Sequence, residues 1–325
     1  MSGTLSRSLA SVVGLALAAS VLAAQAAVDP SIAPRAARLA QGGERQQAAE
    51  LLGRYLATAP DDGFAWLELG KLYLADSRDW HRAGHWGDPP ASLLLDFAAT
   101  ALDQSVRLPT DSGFVLRALV EVDRAAAAVE DDGWRATRAS FLPARGAEPP
   151  AFVEEIGRNL LNSCPVGGVL VTASDFEAVA AWSAALGAPD RGDLVLVLAP
   201  RFSTDSVYRS RMAEALAVEA SGSARAAFAA AALRRPICFS PGIDTALIPS
   251  GPVAVVRLVR VVGPMAPEVP EPLSVADLLQ ASYTHPDALT AEVVSLYREA
   301  ARSNPLLCLS LIAPLGARRR EACGR

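Results

Sequence analysis

Two acids stand just past the end of an apolar run. In Val169-Leu-Val-Thr172-Ala-Ser174-Asp175-Phe-Glu177 the run stops at a small polar corner, and an amphipathic segment carrying Trp182 follows. A buried strand feeding a helix has this pattern. Ligands of α/β folds gather at the carboxyl ends of parallel strands, so Thr172, Ser174, Asp175 and Glu177 are the candidate ligand-binding residues. Paired carboxylates suit a hard cation or the hydroxyls of a sugar. The stronger expectation is structural, with Ser174 or Asp175 capping a helix whose first turn favours acids. The corner holds no glycine, so it has no cradle for a dinucleotide pyrophosphate.

His81 and His85, flanked by Trp80, Trp86 and Asp88, have the i, i+4 spacing that can set two imidazoles on one metal ion. No third ligand is adjacent and the segment reads as a loop, so packing is expected and no metal is assigned. Asp205, Tyr208, Arg209 and Arg211 form a polar set expected to tie a helix to the sheet edge. The chain contains no Gly-x-Ser-x-Gly, His-Glu-x-x-His, Walker or Cys-x-x-Cys pattern. No catalytic residue and no cofactor are expected, and the chain reads as a non-enzyme.

The elements that must position these residues divide the chain. From 159 to 260 an apolar run, a helical stretch, a second run at 193–200, further helix and a third run at 235–240 give the rhythm of a parallel sheet. Residues 253–262 read as a fourth strand. The expected architecture is α/β plus all-α: a helical region over 30–140, a small parallel-sheet α/β domain over 151–264 and a C-terminal helical region over 273–325. Ala, Val and Leu supply most of the apolar content, which suits helix packing and short buried strands. The net charge is −5 and lysine occurs once, at Lys71, which argues against nucleic acid as a partner.

Arg7, an apolar stretch over 9–23 and Ala24-Gln-Ala26 have the form of a secretory signal peptide over 1–26. Cleavage after Ala26 would leave a periplasmic or secreted protein, and membrane association is expected only if the segment stays uncleaved. Cys164, Cys238, Cys308 and Cys323 fit an oxidising compartment, and four cysteines allow three pairings. Cys238 reads as a free buried thiol, and Cys308 with Cys323 closes the shortest loop.

Within the helical region, Ala48, Leu51, Leu52, Tyr55 and Leu56 fall on one face, Pro60-Asp-Asp-Gly breaks the helix, and Trp66-x-x-Leu69-Gly70-x-x-Tyr73 follows. This resembles the opening of a tetratricopeptide repeat, in which Trp and Leu pack inward, Gly admits the paired helix and Tyr fills the next turn. Ala48 and Pro60 take that repeat's second-helix Ala and terminal Pro. Residues 76–90 then read as an insertion, and Thr110-Asp-Ser-Gly-Phe114 echoes Pro60-Asp-Asp-Gly-Phe64, so repeat-like helices are expected over about 31–130. An incomplete array needs a neighbour to cover its last apolar face.

A second resemblance covers about 159–264. Asn159-Leu-Leu-Asn162-Ser-Cys-Pro165, Val-Leu-Val-Thr172, Asp175-x-Glu177 with Trp182, Arg191-x-Asp193, Thr204-Asp205-x-x-Tyr208 and Arg235-Pro-Ile-Cys-Phe are similar to a segment of bacterial multi-pass membrane proteins. Those proteins resemble protein O-mannosyltransferases and are grouped under a domain of unknown function. Their Thr-Asn-Gly-Asp-Asn-Asp-Thr-Phe-Pro-Leu-Trp pattern, aligned on Trp182, puts Asp175 and Glu177 at acidic positions and Thr172 at the Thr. Ser174 and Phe176 replace the family's Gly and central Asn, and the membrane spans are lacking. The resemblance therefore implies a soluble domain type without glycosyl transfer.

The expected function is an exported interaction or assembly module that binds a protein or peptide partner in the envelope. The alternative is an extracytoplasmic accessory subunit binding a glycan or cation at the Asp175/Glu177 corner.

Overall fold

The computed structural model describes residues 29–82, 89–108, 110, 112–140, 149–187, 191–220, 222–265, 273–284 and 286–307. The expected signal peptide, His85, Trp86, Asp88, Cys308 and Cys323 lie outside the described residues.

Helices come first: α1 (Ile32–Gln41), α2 (Arg45–Leu56), α3 (Gly63–Arg82), α4 (Pro89–Arg107), α5 (Gly113–Asp132) and α6 (Trp134–Ser140). In α2 the buried positions Ala48, Leu52 and Leu56 recur every four residues and make one apolar stripe. Gly43, at φ 88°, makes the left-handed turn between α1 and α2. Asp62 starts α3 by accepting the Phe64 and Ala65 amides at 3.0 and 3.1 Å. Then α3 lies so close to α4 that a Cβ on Gly70 would come within 2.5 Å of Leu102 Cγ.

The insertion read at 76–90 does not begin where the sequence suggested. Helix α3 continues to Arg82, because no Gly or Pro interrupts 76–82 and its polar residues find partners. Asp76 and Asp79 both hold Arg45 of α2, and Ser77 Oγ donates to the Ala91 carbonyl.

The α/β region follows: α7 (Ala151–Ser163), β1 (Val169–Thr172), α8 (Asp175–Gly187), β2 (Val195–Leu198), α9 (Ala199–Thr204), α10 (Ser206–Leu216), α11 (Ala224–Ala232), β3 (Ile237–Phe239), β4 (Ala254–Val256) and β5 (Val259–Val262). Strand order is β2-β1-β3-β5-β4. Both β2 and β3 run parallel to β1, whereas β5 runs antiparallel to β3 and β4 antiparallel to β5. The sheet is therefore mixed, which corrects the parallel sheet expected from sequence. The single strand read over 253–262 is a hairpin: Val256 faces Val259, leaving Arg257 and Leu258 as a two-residue turn. A connection that short joins only antiparallel strands. Every residue of β1, β2 and β3 is buried, which explains their unbroken apolar runs.

Cys164, in the turn entering β1, is bonded to Cys238 in β3, with Cα atoms 5.7 Å apart. This corrects the reading of Cys238 as a free thiol.

Helices α12 (Ala276–Thr284), α13 (Ala288–Ser303) and α14 (Pro305–Leu307) close the described chain. Glu155 of α7 accepts from Ser274 Oγ and the Leu278 amide, and Asn159 Nδ2 donates to Tyr297 Oη, so α12 and α13 are fastened to α7. A smaller apolar cluster joins α1, α2 and the start of α3. One larger core runs from α3, α4 and α5 through the sheet to α13. The helical arm and the sheet thus share a core, and α5 packs on α8 and α10. Among the described residues no helix is long and apolar enough to cross a membrane.

Candidate functional site

A cavity of about 210 Å³ opens where the arm meets the carboxyl ends of β1 and β2. The sheet side contributes Thr172, Ser174, Asp175, Arg201 and Asp205. The arm covers it with Arg78 and His81 of α3 and with Leu119, Val122 and Asp123 of α5.

Arg78 is the bridge between the two halves. It donates through Nε and Nη2 to Asp123 at 2.7 and 3.2 Å, and through Nη1 and Nη2 to Asp175 at 2.8 and 3.1 Å. Burial disfavours its charge, but Asp123 and Asp175 outweigh that and hold its pKa above the ordinary arginine value. Asp175 is thus occupied by an arginine of the arm.

Glu177 has a different fate. It is fully buried, and its Oε2 accepts from the Ala173 amide at 2.7 Å, the Ser174 amide at 3.3 Å and Ser240 Oγ at 2.7 Å. Its Oε1 accepts from the Gly242 amide at 3.1 Å. Ser174 Oγ accepts from the Glu177 amide at 3.2 Å. Ser174 and Glu177 therefore form a reciprocal capping box, so the helix cap is Ser174 rather than Asp175. The same carboxylate ties the loop after β1 to the loop after β3. These loops flank the point where strand order reverses, the usual seat of a ligand in a doubly wound sheet. Here the chain's own carboxylate takes the backbone amides that a bound anion would use.

Of the four candidate ligand-binding residues, Thr172, Ser174 and Asp175 reach the cavity wall together, while Glu177 is not among its lining residues. The two acids of the corner do not face a common space.

At the inner wall of the cavity lies a buried cluster that sequence reasoning did not assemble. His81 Nε2 is 3.1 Å from Glu130 Oε1 and 3.1 Å from Asp205 Oδ2. Arg201 Nη1 is 3.5 Å from the same Glu130 oxygen. Asp205 sits at the start of α10, where its Oδ1 accepts from the Val207 and Tyr208 amides. Tyr208 Oη in turn accepts from the Leu198 amide at the end of β2, and Arg211 Nε donates to the Glu130 carbonyl at 2.9 Å. The set 205–211 thus fastens α10 to the sheet edge and to α5; the hydrogen bonds of Arg209 are longer, at 3.4 and 3.5 Å.

Burial raises the pKa of Glu130 despite the neighbouring His81 and Arg201. Burial opposes ionisation of Asp205 too, but the His81 imidazole 3.1 Å away and the hydrogen bond from the Tyr208 amide hold its pKa below the ordinary value. For His81, burial is outweighed by Asp205 and Glu130, so its pKa is raised.

The sequence signal for this cluster is faint. Asp123 and Glu130 lie seven residues apart in a helix that also carries Arg117, Glu121 and Arg124, a spacing of nearly two full turns that sets both on one face of α5. His81 stood out in the sequence, but its partners arrive from α5 and α10.

Compared with known proteins, the chain matches no family model, no curated protein and no solved structure.

Proposed function

We propose that this protein is an exported, non-enzymatic binding module whose helical arm is built from tetratricopeptide-like hairpins and takes a peptide segment of an envelope partner. The observation that carries the reading is a groove of about 510 Å³ between α1 and the start of α3. Its walls are Pro30, Ala33, Pro34 and Ala37 on one side and Phe64 and Glu68 on the other. Phe64 is 62 % exposed at the first turn of a helix whose other apolar positions are mostly covered. First helices of successive hairpins line such a groove in repeat arrays, and an apolar surface rimmed by acids suits a peptide with apolar and basic side chains.

The repeat positions support the hairpin reading. Ala48, Leu69 and Gly70 are buried, Trp66 and Tyr73 are half-buried, and Trp66 Nε1 donates to the carbonyl of the exposed Pro60 at 2.8 Å. The core shared by α5, α8 and α10 supports the idea that the α/β region covers the end of the array. The Cys164–Cys238 bond supports export, because such bonds persist in oxidising compartments. The alternative, a glycan or cation held jointly by Asp175 and Glu177, is disfavoured by the engagement of Glu177 with its own loops.

Phe64→Glu tests the reading. The substitution is on the surface and should leave the melting temperature within about 2 °C, since surface changes stay within about ±0.5 kcal/mol. Envelope proteins that co-purify with the wild-type chain should be lost with Phe64→Glu and kept with Leu233→Glu, a control at an 84 % exposed position remote in sequence. Equal recovery with both variants would contradict the proposal.

A further inference from the structure

We infer that His81, Glu130 and Asp205 form a binding site for a single divalent transition-metal ion, with Zn²⁺ the best-suited cation, at the inner end of the cavity between the arm and the sheet. This is independent of the peptide groove, which lies at the other end of the arm.

The ligand atoms lie within 4.8 Å of one another and come from three separate elements. A cation about 2.0–2.2 Å from an imidazole nitrogen and two carboxylate oxygens sets neighbouring ligand atoms roughly 3 Å apart. The two separations from His81 Nε2 are both 3.1 Å.

The second observation concerns what the cluster leaves unmet. An imidazole Nε2 carries at most one hydrogen, so it can serve only one of the two carboxylates in front of it. Glu130 and Asp205 are 97 % and 93 % buried, from exposures of 3 % and 7 %. Glu130 Oε2 and Asp205 Oδ2 nevertheless have no hydrogen-bond partner among the described residues. Buried carboxylate oxygens left this way are costly unless a cation meets them. A divalent ion contacts both carboxylates and the imidazole together, where one proton satisfies only part of the set.

The surroundings fit. Asp205 Oδ1 is fixed by two amides, which aims Oδ2 at His81. Arg201, 3.5 Å from Glu130 Oε1, balances part of the carboxylate charge. His81 and Asp205 also line the cavity, so three protein ligands leave an open coordination position facing it. Imidazole with carboxylates favours zinc-like cations, whereas calcium prefers oxygen alone.

The test titrates Zn²⁺ alone into chelator-stripped full-length chain by calorimetry, with Ca²⁺ as comparator. Wild type should take one Zn²⁺ with roughly micromolar or tighter affinity and bind Ca²⁺ at least about 100-fold more weakly. Glu130→Gln and Asp205→Asn should each weaken Zn²⁺ binding by about 100-fold or more. Both keep side-chain shape, and Asn caps a helix about as well as Asp, so the metal-free circular dichroism spectra should match wild type. His81→Ala should behave alike. No zinc binding by wild type, or equal binding by folded Glu130→Gln and Asp205→Asn, would overturn the site.

Discussion

Glu177→Ala is expected to destabilise the protein by about 4 kcal/mol or more, because hydrogen bonds to a charged group contribute roughly 1.5–3 kcal/mol each and unsatisfied buried donors add their own cost. The substitution strands the amides of Ala173, Ser174 and Gly242 and the hydroxyl of Ser240 around an empty volume. At roughly 2–4 °C per kcal/mol for a chain of this size, the melting temperature should fall by about 10 °C. Asp175→Asn, two residues away, should change stability by no more than about 1 kcal/mol. Its side chain is 57 % exposed, Arg78 keeps Asp123, and exposed ion pairs contribute little. Thermal melting of both variants separates the two acids. Equal shifts would show that Glu177 is not the clamp between the loops of β1 and β3.

Removing the Cys164–Cys238 bond should cost about 4 kcal/mol by loop-closure entropy, since it joins positions 74 residues apart. The bond fastens the entry of β1 to its neighbour β3 inside the core, so its loss should loosen the sheet before the arm. Melting of wild type with and without reductant, and of the Cys164→Ala/Cys238→Ala double variant, checks this. A melting temperature indifferent to reductant would mean that the bond does not form in solution. The two effects should be roughly additive only if the sites are independent, and both act on the contact between β1 and β3, so some coupling is expected.

The parts legible in the sequence were those with a strong period. Strands β1, β2 and β3 are unbroken apolar runs, and α2 shows its stripe at Ala48, Leu52 and Leu56. The β4–β5 hairpin was hidden because Val-Val-Arg-Leu-Val-Arg carries no turn residue. Arg257 makes the turn at φ 49°, a conformation that glycine or asparagine would have advertised. The extension of α3 was hidden because a Trp- and His-bearing stretch followed by Gly reads as loop, and its partners Arg45, Ala91, Asp123, Glu130, Asp175 and Asp205 are distant in sequence.

At the corner after β1, a helix cap at Ser174 or Asp175 was legible, but the tasks of Glu177 depended on where the loop after β3 falls. The cluster at His81 was beyond reach for the same reason. Its ligands lie on elements whose approach is fixed by the packing of α5 against α8 and α10, which no local pattern encodes.

The claim that the arm's groove receives a peptide in the envelope is tested most directly by a photo-crosslinking residue placed at position 64 of the chain expressed in its own cell. A discrete adduct, recovered in the envelope fraction, is expected from position 64 and none from position 233. Indistinguishable adducts from both positions, or none from position 64, would contradict it.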